Sequence, residues 1–169
     1  MEFNTSTIHE KDSVNQKIDA VRLGMCNAFE ANTQWSYELL GEALGCVKST
    51  AWKRINEKTD NLPKLIAVAT VMQWDVSSIL DGKPEAISQP REVDVKWTGI
   101  NLKRICEEKH VSPQRLATKL PAFRSGKAVD ASTITRMHTS GIRSIEKLFW
   151  ICHVLHIKPD VLFMNPDRN

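Results

Sequence analysis

The feature that most constrains this chain is an internal repeat within its 169 residues. The pattern W-S-x-x-x-L-G-x-x-L at residues 35–44 returns 76 residues later, at 111–120, as V-S-x-x-x-L-A-x-x-L. A second piece, S-T-A-x-K at 49–53, returns after 83 residues as S-T-I-x-R at 132–136. The change of offset implies seven extra residues, at 121–127, in the second copy. An ordered repeat of this length predicts two small domains of the same kind.

Helical periodicity runs through both copies. In the first copy, apolar residues recur at the spacing of one helix face: Val14, Ile18, Val21, Met25, Ala28 and Phe29. Ser36 is a good N-cap for a second helix that ends at Gly45. Further helices are expected at 48–58, 63–74 and 77–80, so the pattern predicts five short helices between residues 14 and 82.

The remaining stretches divide the chain. Residues 1–13 are polar and patternless, and we expect a flexible arm there. Pro84, Pro90 and Gly99 interrupt the helical rhythm, which predicts a linker at 83–99 between domains at 14–82 and 100–169. Within this linker, residues 93–97 alternate apolar and polar side chains, which favours either an extended segment leaning on a domain or a strand.

Charge is distributed unevenly between the halves. Residues 1–85 hold 9 Lys and Arg against 12 Asp and Glu, whereas residues 101–169 hold 12 against 6. The basic second half is therefore the better candidate for binding a polyanion.

The repeated pattern suits a helix-turn-helix, which needs a small residue in its first helix, a flexible turn and a polar second helix. Gly41 and Ala117 occupy the small position, and Gly45 the first turn. Both copies resemble the λ-repressor-like (Cro/CI, Xre) family. The second does so at Leu116-Ala117, Val129, residues 132–136, Gly141 and residues 158–163. The first resembles the phage CI-repressor branch at residues 44–46, 48–50, 62–63 and 79–82.

This resemblance implies an all-α protein of two tandem five-helix helix-turn-helix domains joined by an extended linker. It further implies a sequence-specific transcriptional regulator, a repressor of phage or mobile-element origin, that binds a double-stranded DNA operator as a homodimer. The residues implied to face DNA are Lys48, Ser49, Thr50, Lys53, Ala131, Ser132, Thr133, Thr135 and Arg136. The guanidinium of Arg136 suits guanine, whereas the hydroxyl groups suit phosphate or merely cap helices.

Three alternatives stay open. Arg124 and Lys127, in the seven-residue insertion, either reach the DNA backbone or minor groove or belong to a solvated loop. Trp52 stands where the family has a small polar residue, which favours a packed anchor or a dimer contact over a base reader. In that case the acidic first copy is a protein-interaction domain. A further alternative is that the whole chain is an antitoxin with a second protein partner.

Other classes of function find little support in the sequence. Cys106, His110 and the motif Cys152-His153-x-x-His156 can be drawn as a metal site, but burial on helix faces explains the cysteines better. No catalytic constellation is readable, and residues 124–127 lack the first glycine of a phosphate-binding loop. We therefore expect neither an enzyme nor a cofactor. No apolar run is long enough for a membrane span and the start has no secretory pattern, which predicts a cytoplasmic protein.

Overall fold

A computed structural model describes residues 5–89, 91–123 and 128–168 of the chain. Within these ranges the chain forms nine α-helices and no named strand, so the predicted all-α class is confirmed. None of the helices in the described ranges is long and apolar enough to cross a membrane. The chain divides into two compact units, Met1–Arg91 and Glu92–Asn169.

The first unit contains five α-helices. They are α1 (Thr5–Ala31), α2 (Tyr37–Leu44), α3 (Lys48–Asn56), α4 (Leu62–Met72) and α5 (Val76–Leu80). The predicted caps of α2 are confirmed, because the Ser36 hydroxyl accepts a hydrogen bond from Leu39 N and Gly45 ends the helix at a φ of 64°. Of the predicted α1 face, all but the half-buried Ala28 is buried in the core.

The predicted flexible arm is wrong over residues 5–13, which belong to α1. Residues 1–4 lie outside the described part of the chain. Once a helix has nucleated, each residue that is added forms one further backbone hydrogen bond, and only the backbone of that residue loses its freedom. The packed turn that begins at Val14, which is 2% exposed, can therefore extend toward the amino terminus through a polar sequence.

The boundary between the two units falls within the predicted linker at 83–99, but both ends of this segment belong to the units themselves. At its start, Asp75 N donates to Glu85 O at 2.8 Å and Ile87 N donates to Gln73 O at 2.8 Å, so this segment packs on the first unit. At its end, α6 begins at Val95, so residues 95–97 form neither the extended segment nor the strand that the alternation at 93–97 allowed. The Asp94 carboxylate accepts a hydrogen bond from Lys96 N at 2.8 Å, and this N-cap outweighs the short alternating pattern.

The second unit contains four α-helices and two short 3₁₀-helices in its described residues. They are α6 (Val95–Glu108), α7 (Pro113–Lys119), α8 (Ala131–Ser140), α9 (Ile145–Leu155) and the 3₁₀-helices Pro159–Phe163 and Pro166–Arg168. The expected fifth α-helix is therefore a 3₁₀ turn. Residues 120–130 connect α7 to α8, whereas only residues 45–47 connect α2 to α3, as the change of repeat offset predicted.

A close contact between backbones fixes α8 against α6. A Cβ atom on Gly99 would lie 2.1 Å from Met137 O and 2.9 Å from His138 O. Beside it, the Thr98 hydroxyl donates to Val95 O at 2.6 Å and accepts from Ile142 N at 2.8 Å. Gly99, which the sequence indicated as a helix breaker, is instead the residue that lets α6 touch the end of α8.

Candidate nucleic-acid interface

Helix α3 presents part of the predicted DNA-facing set to solvent. Ala51 and Ile55 are completely buried and turn one side of the helix into the core. Lys48, Ser49 and Lys53 are exposed, whereas Thr50 is half-buried. Val47, the N-cap residue, forms no side-chain cap, so Ser49 is not the cap of this helix.

The ammonium group of Lys48 is already paired. It forms an ion pair with the Glu38 carboxylate of α2, and this contact holds the pKa of Glu38 below its ordinary value. Lys53, in contrast, takes part in none of the ion pairs found among the described residues. The α3 surface therefore offers one uncompensated cation from the predicted set.

Trp52 lies on the solvent side of α3 and is 45% exposed, so it is not a packed anchor. Two more large apolar side chains of the α2–α3 region are also exposed, Leu39 at 47% and Val47 at 68%. An apolar side chain of this size has little to gain from a phosphate backbone. The surface of α3 is therefore chemically mixed rather than basic.

A polar network holds the carboxyl end of α3. The Asn56 amide group donates to Tyr37 Oη at 2.9 Å, and its Oδ1 lies 3.6 Å from the Cys26 thiol, which donates to it. Tyr37 stacks on Phe29 with 4.5 Å between the ring centroids. Together with the Glu38–Lys48 pair, this network fixes α3 against α1 and α2 at both of its ends.

Helix α8 begins at a strong cap. The Asp130 carboxylate accepts hydrogen bonds from Thr133 N at 2.7 Å and from the Ser132 hydroxyl at 2.8 Å. Hydrogen bonds from Thr133, and then from Ser132, lower the pKa of Asp130 to about 2. The Thr135 hydroxyl donates to Ala131 O at 3.0 Å within the same helix. The hydroxyl groups of α8 that were predicted to face DNA thus already have partners in this helix or in its N-cap residue.

Ile134 and Met137 bury the other side of α8 in the core. Ser132, Thr135 and Arg136 are exposed, whereas Ala131 and Thr133 are half-buried. Because these hydroxyl groups are engaged, Arg136 is the residue of this set whose side-chain donors form no hydrogen bond or ion pair with the described residues. Arg124 and Lys127 lie outside the described residues.

A small cavity next to Arg136 gathers further cations. It has a volume of about 240 Å³, and Arg136 of α8, Arg143 of the α8–α9 turn and Lys147 of α9 all line it. Ser144, the N-cap of α9, lines it as well, and the positive end of the helix dipole adds to these three charges. No Asp or Glu is among the described residues that line it.

Sequence reasoning missed Arg143 and Lys147, because neither belongs to the helix that the family pattern marks. The available signal was spacing, since Ser144 is a good N-cap and Lys147 lies in the first turn of the helix that it starts. The Lys147 ammonium also lies 5.4 Å from the centroid of the Phe123 ring. This cation–π contact joins α9 to the α7–α8 connection.

The metal site that the sequence allowed is not assembled in the described part of the chain, where no three His, Cys, Asp or Glu residues are grouped to hold an ion. Cys106 and Cys152 are buried thiols, as their helix-face positions predicted, and Cys26 and Cys46 are half-buried.

Comparison with protein-family models, with curated proteins and with solved structures gives no match to this chain.

Proposed function

We propose that the chain is a sequence-specific, double-stranded-DNA-binding transcriptional regulator, a repressor built from two tandem λ-repressor-like helix-turn-helix domains. In this proposal α2–α3 and α7–α8 are the two helix-turn-helix pairs. The second unit is the one that reads DNA, and the protein has no enzymatic activity.

The observation that carries the proposal is the cationic cavity beside the exposed side of α8. Arg136, Arg143 and Lys147 line it with no carboxylate among its described lining residues, which is the electrostatic arrangement that a phosphate group requires. The charge balance of the whole unit agrees, because residues 92–169 hold 13 Lys and Arg against 8 Asp and Glu. Arg143 and Lys147 would position the DNA backbone, and Arg136 would reach a base edge from the helix.

The first unit fits a different role. Its α3 carries the neutralised Lys48 and the exposed Trp52, and residues 1–91 hold 10 Lys and Arg against 12 Asp and Glu. Exposed aromatic and aliphatic side chains are typical of protein contacts. This composition supports the alternative in which the first unit binds protein, either a second copy of this chain or a different partner, and only the second unit binds DNA.

The experiment compares the salt dependence of DNA binding for two double variants. Cognate DNA is first selected from a random library with the full chain, and dissociation constants are then measured across a range of salt concentrations. Arg143→Ala with Lys147→Ala should lower the slope of log K against log salt by about 2, since each lost phosphate contact removes about 0.9. The matched control, Lys109→Ala with Lys158→Ala, removes two exposed cations that do not line the cavity.

Specificity is tested by Arg136→Ala in the same assay. Loss of a bidentate base contact should weaken cognate binding by about 1–3 kcal/mol and relax the preference at one base pair. If the control variant lowers the slope as much as the cavity variant, the cavity is not the phosphate site. If the full chain selects no DNA sequence, the proposed function is wrong.

A further inference from the structure

A second cavity, of about 400 Å³, lies on another side of the second unit, and nothing in the proposed function uses it. Its walls come from α6, from the turn between α6 and α7, and from α8. Six of its eight described lining residues are Lys103, Cys106, Glu107, Val111, Pro113 and His138. Its volume is within the range of sites that hold small organic molecules.

The lining favours an uncharged ligand. Cys106 is 3% exposed, and burial raises the pKa of its thiol, so the sulfur is neutral and behaves as an apolar surface. Val111 and Pro113 add apolar walls. At the rim, Lys103 Nζ lies 3.9 Å from Glu107 Oε1, so the two charges largely cancel.

His138 supplies an unused polar group. Its Nε2 atom is buried and has no hydrogen-bond partner among the described residues. Burial, and then the Lys103 charge, lower the pKa of His138, which keeps the imidazole neutral at pH 7. Buried polar atoms are rarely left without a partner, and this one belongs to a residue that lines the cavity.

We propose that this cavity binds a small, uncharged aromatic or heteroaromatic molecule that carries one hydrogen-bonding group. The ring lies against Cys106, Val111 and Pro113, and the polar group bonds to the imidazole of His138. Because protein atoms cover Nε2, the bond forms after a rotation of the ring about χ2, a torsion with broad wells in histidine.

The site is adjacent to the proposed DNA-reading helix, since His138 lies two residues after Arg136 on α8. An effect of the ligand on DNA affinity would rest on the proposed function. Binding of the ligand does not rest on the proposed function, and its test uses no DNA.

Phenol and toluene serve as probes, because they share a ring and differ in one hydroxyl group. Each is titrated into the full chain, and binding is followed by the ring NMR signals of His138 and by the amide signals of residues that line the cavity. Phenol should give saturable shifts, with toluene binding about fivefold more weakly for lack of one hydrogen bond. Benzoate should bind no more tightly than phenol, because the rim carries no net charge.

Two variants separate a ligand site from non-specific ring adsorption. Val111→Phe fills the cavity and should abolish the shifts, whereas the matched control Val93→Phe, at a half-buried valine that does not line it, should preserve them. His138→Phe should make phenol and toluene bind equally. The proposal is overturned if neither probe saturates by about 10 mM. It is equally overturned if Val111→Phe, with its fold intact by amide NMR, binds phenol like the wild-type chain, or if His138→Phe keeps the preference for phenol.

Discussion

Gly99→Ala is the most direct test of how α8 is held. Alanine is favoured over glycine within a helix by about 1 kcal/mol, so helix propensity alone predicts that the variant is more stable. The added Cβ, however, would lie 2.1 Å from Met137 O and 2.9 Å from Gly141 N, and these are backbone atoms that no rotamer change can move away. Carbon and oxygen normally stay about 3.3 Å apart, so the end of α8 must retreat by roughly 1.2 Å.

Overpacking of this kind costs about 1–3 kcal/mol, and more where backbone must move. Because backbone must move here, we expect a cost at the upper end of this range, about 3 kcal/mol, so the free energy of unfolding of the second unit should fall by about 2 kcal/mol after the propensity gain of about 1 kcal/mol is deducted. The assay is urea unfolding of the full chain, followed by the amide NMR signals of Ile142 for the second unit and of Trp74 for the first. Gly45→Ala is the control, because its φ of 64° is strained for alanine but nothing lies within 4 Å of the new Cβ. That variant should weaken only the first unit. An Ile142 signal as resistant to urea in Gly99→Ala as in the wild-type chain would refute the reasoning.

Two further predictions concern charge. Glu38→Gln removes the ion-pair partner of Lys48. If only the second unit binds DNA, the slope of log K against log salt concentration stays unchanged. An increase of this slope by about 0.9 would mean that α3 contacts a phosphate. The pKa of Asp130 is lowered from 3.8 to about 2 in the folded chain, so its carboxylate stabilises the fold above pH 3.8 and loses this effect as the pH falls toward 2. The Asp130→Ala variant should thus be less stable than the wild-type chain at neutral pH, and the difference in stability should shrink in acid. Urea unfolding at several pH values measures this difference. A difference that is independent of pH would contradict the assignment.

Local signals in the sequence predicted the helices well. Ser36 and Gly45 define α2 by groups that act within four residues, and the spacing of Val14, Ile18 and Val21 reports a buried face directly. The errors had two sources. The start of α6 was missed although its N-cap, Asp94, is a local signal. The role of Gly99, in contrast, depends on Met137 O, which lies 38 residues away in the chain and leaves no room for a side chain at this position.

The candidate interface divides in the same way. Arg136 was predicted because the family pattern marks α8, and the residue is exposed as expected. Arg143 and Lys147 line the same cavity from the α8–α9 turn and the first turn of α9, which the family pattern does not mark. The Glu38–Lys48 pair joins two helices, whereas the hydroxyl bonds of Ser132 and Thr135 reach no further than four residues along the chain. Both kinds of contact change what the predicted residues have left to offer a ligand.

The two helix pairs differ in how their members are linked, which bears on how such a chain can change through evolution. Three residues, 45–47, join α2 to α3, so an insertion or deletion there would displace a helix that is fixed at both ends. Eleven residues, 120–130, join α7 to α8, while Gly99 and Thr98 hold α8 from α6. Doubling a connection of this kind costs only about 0.6 kcal/mol of closure entropy. The connection between α7 and α8 is therefore the place where the gene can gain or lose codons. Such a change gives the protein new surface beside α8 and leaves its core unchanged.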